Sequence, residues 1–209
     1  MIYVTFYEPA GAFAGTFNSF AAWFTGGKYC HCEMVLHIEP EELMTGVKRV
    51  YAANTDNLKL IHAIETTFFD SKRAKTLLQN SERVWISFSS LWGEELSMRF
   101  LEEMEEDSWF AVPGEQTPYI KMVQIPTQDD DQMRSVLEFC LLEMGKDYNK
   151  AGALFSWMPK FSASQDVRQK PQVFCSELCT AALKQMGMFT EVNPESVTPN
   201  SLYTLLLTI

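Results

Sequence analysis

Two short segments of this chain carry residues that together could perform nucleophilic catalysis. An early apolar run contains Cys30-His31-Cys32-Glu33, and a late one contains Phe174-Cys175-Ser176-Glu177 at the predicted start of a helix. A cysteine reacts as its thiolate, and a helix N-terminus with a nearby imidazolium lowers the pKa of a thiol. We therefore expect Cys175 to be a nucleophile and His31 its general base, if the segments meet. Glu177 is expected to interact with the helix N-terminus.

A catalytic histidine also needs a group that orients its ring. His62 lies in a run that we predict as a neighbouring strand, where it could hydrogen-bond to His31 as the third member of a triad. Glu33 shares a strand face with His31, because alternate residues point to the same side, and it is the second candidate. The same alternation predicts that Cys30 and Cys32 point away from the chemistry. Taken alone, a histidine such as His31 is more often a packed or solvated residue than a base, and a cysteine such as Cys175 is more often a buried apolar residue than a nucleophile.

The hydrophobic pattern predicts strands and helices in one domain. Strands are expected at Ile2–Tyr7, Tyr29–Ile38, Arg49–Ala52, Leu58–Ile64, Val84–Phe88 and Tyr119–Ile125. Helices are expected at Thr16–Phe24, Gly93–Glu106, after the capping triplet Asp129–Asp131, at Cys175–Met186 and from about Asn200. No linker or repeat divides residues 1–209, so we expect a single α+β domain.

Composition excludes some functions. The formal charge of -10, with 27 acidic against 17 basic residues, argues against nucleic-acid binding, which needs clustered Lys and Arg. The first residues lack the features of a secretory signal, and no apolar stretch is long enough to span a membrane, so we expect a soluble cytoplasmic protein. Five cysteines without the spacing of a disulfide framework indicate reduced thiols. No cofactor or metal is expected.

The order of these segments resembles the circularly permuted NlpC-type, papain-fold cysteine hydrolases, a group that includes lecithin:retinol acyltransferase-like enzymes and relatives in bacteria and large DNA viruses. The resemblance is carried by Tyr29–Met34, by Ile61-His62-Ala63 and above all by Phe174–Leu178. Weaker similarity covers Phe17–Lys28, Gly145–Asn149 and Thr198–Leu202. The stretch from about 66 to 122 matches little, and we expect a helical elaboration there.

The resemblance implies a fold and a reaction. It implies a permuted papain-like domain, in which a small antiparallel sheet or half-barrel packs against helices that include the one bearing the nucleophile. It further implies that Cys175 attacks a carbonyl, His31 transfers the proton and His62 orients His31, through an acyl-enzyme intermediate. The expected substrate is a peptide or amide. A lipid acyltransferase or acyl hydrolase on the same triad is the alternative, with membrane contact possible but not indicated.

Two further alternatives stay open. Cys30, Cys32, Cys175 and Cys179 offer four thiols that could surround zinc, although structural sites usually have tighter spacing on turns. A scaffold without activity could also keep the fold and bind a partner through the aromatic segment Phe13–Phe24. Selective reactivity of Cys175 towards a thiol-directed reagent would distinguish an enzyme from a scaffold.

Overall fold

The computed structural model describes residues 1–9, 22, 27–91, 94–101, 120–127, 129–156 and 170–209. Within these residues the chain has an α+β fold built on a five-stranded antiparallel sheet. Its strands are β1 (Ile2–Tyr7), β2 (His31–Ile38), β3 (Val84–Ser89), β4 (Ser97–Leu101) and β5 (Ile120–Ile125). They lie in the order β4-β3-β2-β1-β5, so the strand bearing His31 is central. Two short strands, β6 (Asp147–Tyr148) and β7 (Gln172–Val173), pair in parallel.

Helices flank the sheet. They are α1 (Pro40–Ala53), α2 (Leu58–Ile64), α3 (Lys72–Asn80), α4 (Asp130–Glu143), α5 (Lys150–Phe155), α6 (Cys175–Lys184) and α7 (Pro199–Leu206), with a π-helical turn at Glu65–Phe69 and a 3-10 turn at Pro194–Ser196. The Asp129 side chain accepts a hydrogen bond from the Gln132 N–H, which confirms the predicted capping role of the acidic triplet. No helix in the described parts of the chain is long and apolar enough to cross a bilayer.

The two faces of the sheet differ in chemistry. One face carries the large buried apolar side chains of the core, among them Phe6, Met34 and Phe88, and helix α6 packs against β2. The opposite face buries polar groups, including Glu33 and Ser87. Buried polar groups must be hydrogen-bonded, so this second face has to contain a network.

The residues before β2 are held by α7. Asn200 bonds both backbone groups of Tyr29: its Nδ2 donates to the Tyr29 carbonyl and its Oδ1 accepts from the Tyr29 N–H, each at 2.9 Å. Gly27 packs so closely on this side chain that a Cβ there would lie 2.2 Å from Asn200 Oδ1. The position of Tyr29, two residues before His31, therefore depends on α7.

Several predicted elements are wrong. Arg49–Ala52 and Leu58–Ile64, both expected as strands, lie in α1 and α2. In α2, Asn57 accepts a hydrogen bond from the Leu60 N–H, and Leu60 and Ile64 are buried on one helical face, so the short apolar run follows the helical period.

The central region also differs from expectation. Within Gly93–Glu106, expected as a helix, Ser97–Leu101 is strand β4, whose buried Met98 and Phe100 alternate with half-buried residues. Strands β3 and β4 belong to the main sheet, so the stretch from 66 to 122 is not simply a helical elaboration. The strands predicted at β1, β2, β3 and β5 are confirmed, as are the helices at α4, α6 and α7. The helix predicted at Thr16–Phe24 falls outside the described residues apart from Ala22.

Candidate active site

The fold brings His31 and Cys175 together. His31 is the first residue of β2, opposite Tyr7 of β1, and Cys175 is the first residue of α6, which packs on β2. The Cys175 thiol and the His31 ring are in hydrogen-bond contact. The nucleophile and base predicted from sequence thus occupy one site.

Cys175 fills a gap in the sheet. Strand β3 pairs with β2 only from Met34 to Ile38, so the β3-facing edge of β2 is open beside His31, Cys32 and Glu33. At this edge the backbone N–H and the thiol of Cys32 both hydrogen-bond to Cys175. A position at the edge explains how Cys175 contacts His31 and Cys32, although these neighbours project to opposite faces.

The surroundings of Cys175 favour its thiolate. The hydrogen bond from the Cys32 thiol, the positive charge of His31 and the hydrogen bond from His31 hold the pKa of Cys175 well below its usual range, against the effect of burial. The N-terminus of α6 adds the positive end of the helix dipole. These contacts favour the anionic form of Cys175 over the thiol.

His31 is the matching cation. Burial alone would lower its pKa, but the negative charge of Cys175, the hydrogen bond to it and the adjacent Glu33 raise the pKa of His31 to about 9. The ring Nε2 lies 3.2 Å from Glu33 Oε1 and 3.1 Å from Ser89 Oγ. The resting site is a buried thiolate-imidazolium pair.

Glu33 is surrounded by donors. Its Oε1 accepts from Arg99 Nη2 at 2.7 Å as well as facing His31, and its Oε2 accepts from Ser87 Oγ at 2.5 Å and Tyr7 OH at 3.2 Å. The side chain is 0% exposed. Burial alone would raise the pKa of Glu33, but the hydrogen bond and charge of His31, together with Arg99 and Ser87, lower it to about 2. Glu33 is thus a fixed carboxylate that holds the His31 ring.

His62 is not brought to this site. It lies in α2, not on a strand, and its side chain is exposed. Its ring makes no hydrogen bond or ion pair within the described residues. The orienting position next to His31 Nε2 is occupied by Glu33, which was the second candidate for that role.

Glu177 lies where the sequence indicates. Its Oε2 accepts from the Phe174 backbone N–H at 3.4 Å, at the N-terminus of α6. Its Oε1 accepts from Lys170 Nζ at 2.7 Å, and Lys170 also pairs with Glu195. These contacts hold the segment before the nucleophile without reaching the His31 ring.

The thiols flanking His31 are not both remote from the chemistry. Cys32 hydrogen-bonds to Cys175 and Cys179, so the prediction that it points away is wrong. Cys30 Sγ lies 3.4 Å from the Tyr7 carbonyl oxygen. Burial and then the charge of Cys175 raise the pKa of Cys30 to about 12, so it stays protonated.

Tyr148 is a site residue that the sequence did not reveal as one. It pairs with Val173, two residues before Cys175. Burial, followed by the negative charge of Cys175, raises the pKa of Tyr148 well above its usual range. The phenol therefore stays protonated and lies near Cys175.

The donors around Glu33 were also missed. Arg99 lies in a segment predicted as helix, and the partners of β3 cannot be inferred from its own residues. One sequence feature could have indicated them: Ser87 and Ser89 occupy alternate positions in the otherwise apolar Val84–Ser89, as expected for a strand with a polar buried face.

A metal centre is not supported by the described residues, in which no group of three or more His, Cys, Asp or Glu side chains is arranged to hold an ion. The zinc alternative needs four converging thiols. Cys32 does approach Cys175 and Cys179, but Cys30 is directed to a backbone carbonyl. The thiol cluster therefore does not form the expected tetrahedral set.

Comparison with known proteins assigns no function. Protein-family models, curated proteins and solved structures give no match to this chain. The function must therefore be inferred from the residues of the site and their geometry.

Proposed function

We propose that this protein is a cysteine hydrolase that cleaves an amide or peptide bond through an acyl-enzyme. Cys175 is the nucleophile, His31 is the general acid and base, and Glu33 orients His31. The observation that carries the proposal is a row of three adjacent buried charges: the Cys175 thiolate, the His31 imidazolium and the Glu33 carboxylate. Each of these charges is stabilised by the opposite charge of its neighbour. Pairs of strongly perturbed groups of this kind are typical of catalytic sites.

The first half of the reaction forms a thioester. Cys175 Sγ attacks the carbonyl carbon, the C–S bond forms, and the electron pair of the C=O bond moves to oxygen. Backbone N–H groups at the start of α6 are suited to stabilise this oxyanion. His31 then gives its proton to the leaving nitrogen, and the C–N bond breaks.

The second half releases the acid. His31, now neutral, takes a proton from water as the oxygen attacks the thioester carbon. The C–S bond breaks, and the returning imidazolium again pairs with the Cys175 thiolate. Glu33 stays ionised throughout, because Ser87 and Arg99 continue to donate hydrogen bonds to it on the side away from the reacting atoms. Its charge stabilises His31 whenever the ring is an imidazolium.

We also propose that the domain is a permuted papain-like fold. Support comes from the arrangement of a helix that starts at the nucleophile and packs against an antiparallel sheet, whose central strand carries the base earlier in the chain. All five cysteines are free, and Cys175 must stay reduced to react, so we place the protein in a reducing compartment such as the cytoplasm.

Alkylation and hydrolysis test the proposal together. Iodoacetamide should modify Cys175 much faster than the other cysteines, and fluorogenic peptide or amide substrates should be cleaved. Cys175→Ser and His31→Ala should each reduce hydrolysis by about a thousandfold or more. His62→Ala is the matched histidine control and should leave both rates unchanged.

Three results would count against the proposal. Uniform, slow labelling of the cysteines would favour a scaffold without activity. Transfer of the acyl group from Cys175 to an added acceptor, with no release by water, would favour an acyltransferase. A loss in His62→Ala as large as that in His31→Ala would restore His62 to the triad in place of Glu33.

A further inference from the structure

A second thiol lies against the nucleophile, and the hydrolytic mechanism does not use it. Cys32 contacts Cys175 through both its thiol and its backbone N–H, and the two side chains belong to one buried cluster with Cys179. Cys32 is 1% exposed and Cys175 4% exposed. A reagent as small as hydrogen peroxide can reach sulfurs with this little exposure.

We propose that Cys32 is a resolving thiol, which captures Cys175 after oxidation by a peroxide and stores it as a reversible Cys32–Cys175 disulfide. The first step uses the thiolate of Cys175. Its sulfur attacks one oxygen of hydrogen peroxide, the S–O bond forms, and the O–O bond breaks. The departing hydroxide takes the proton of His31 and leaves as water, so that Cys175 becomes a sulfenic acid.

The second step consumes the thiol of Cys32. The Cys32 sulfur attacks the Cys175 sulfur, and the S–S bond forms as the S–O bond breaks. The departing hydroxide takes the proton of the Cys32 thiol and leaves as a second water. Two thiols and one peroxide thus give one disulfide and two waters.

The change of charge at Cys175 separates the two steps. Before oxidation, burial and then the hydrogen bond to anionic Cys175 raise the pKa of Cys32 well above its usual range, which keeps its thiol protonated. Sulfenic acid formation removes that anion and makes the Cys175 sulfur an electrophile. Cys32 therefore does not react beside the thiolate and attacks only after Cys175 is oxidised.

The other cysteines are placed less well. Cys179 follows Cys175 by one turn of α6, where the two Cβ atoms project side by side along the helix. Cys30 is directed to the Tyr7 carbonyl. The pKa of Cys140 is raised by burial and then by the charge of Cys179, and not by that of Cys175, so Cys140 is not beside the nucleophile. Cys32 lies on β2, against which α6 packs, and contacts Cys175 from there, so it is the partner that the geometry favours.

Peptide mapping after peroxide treatment tests this assignment without any hydrolytic assay. The reduced protein is treated with a molar excess of hydrogen peroxide, blocked with iodoacetamide and digested. We expect a cross-linked peptide pair containing Cys32 and Cys175, and recovery of Cys175 alkylation after dithiothreitol. In Cys32→Ser, Cys175 should instead gain two or three oxygens and should not recover. Cys179→Ser is the matched control and should behave as wild type.

Two outcomes would overturn the proposal: a disulfide from Cys175 to Cys30 or Cys179, or equal irreversible oxidation in wild type and Cys32→Ser. Mapping of the wild-type protein gives the answer even if Cys32→Ser does not fold. The inference depends on an anionic Cys175 and not on hydrolysis. A reduced protein that cleaves no amide but forms the Cys32–Cys175 disulfide would refute the proposed function and leave this inference standing.

Discussion

Replacing Glu33 with Gln tests how the buried carboxylate controls His31. The substitution keeps the shape of the side chain and removes its charge, while His31, Arg99 and Ser87 remain in place. A hydrogen bond to a charged group contributes about 1.5 to 3 kcal/mol, which corresponds to roughly one to two pH units in the pKa of the partner. We therefore expect the pKa of His31 to fall from about 9 by that amount. The uncompensated Arg99 charge acts in the same direction.

NMR titration measures this shift directly. The protein has three histidines, and the ring protons of His31 can be assigned from the spectrum of His31→Ala. The double variant Glu33→Gln/Arg99→Gln serves as a control, because it removes both charges of the ion pair and avoids an unpaired, half-buried guanidinium. An unchanged or higher His31 pKa in folded Glu33→Gln would refute the role given to Glu33.

Three further perturbations follow from the same contacts. Hydrolysis should decline as pH rises through about 9, because neutral His31 cannot protonate the leaving nitrogen. The stability that His31 contributes is complete below its ordinary pKa of 6.5 and should be lost as pH rises through about 9. A rate of hydrolysis that does not change at alkaline pH would contradict this. The pKa of Glu33 is lowered from 4.5 to about 2, so its contribution of ~3 kcal/mol is present above pH 4.5 and is lost as pH falls through 2; urea unfolding at a series of acidic pH values should show less pH dependence in Glu33→Gln than in wild type. Asn200→Ala should lower the free energy of unfolding by about 1 to 3 kcal/mol and slow Cys175 alkylation, since both bonds to Tyr29 are lost; exposed Thr204→Ala on the same helix should do neither.

The contact between His31 and Cys175 could be predicted because each residue stands in a short segment typical of a catalytic base or nucleophile. His31 and Cys175 each stand in a local sequence whose strand or helix start is readable, and the alternation of β2 placed Glu33 beside His31. The error at His62 came from its element. A short apolar run with Leu60, Ile61 and Ile64 is compatible with a strand or a helix, and only the Asn57 cap and the packing of Leu60 and Ile64 decide for the helix.

The support around the site depends on contacts between distant segments. Arg99 reaches Glu33 because β4 pairs with β3 in a register that sets Arg99 opposite Ser87. Nothing in either strand specifies that register by itself. The contact between Cys32 and Cys175 likewise could not be predicted from the sequence, because it depends on the part of β2 that lies beyond the last residue paired with β3. Face alternation alone therefore assigned Cys32 to the wrong environment.

The two hydrogen bonds between Asn200 and Tyr29 have a consequence for folding during synthesis. The two residues are 171 positions apart, and the strand that carries His31 follows Tyr29 directly. During synthesis the sheet strands and Cys175 emerge before Asn200 does, so Tyr29 lacks these two hydrogen bonds until α7 has left the ribosome. A nascent chain released or stalled before that point would hold His31 by its pairing with β1 but would lack the support that Asn200 gives to the residues before it. Reactivity of Cys175 should therefore arise late in synthesis, when the fold closes around it.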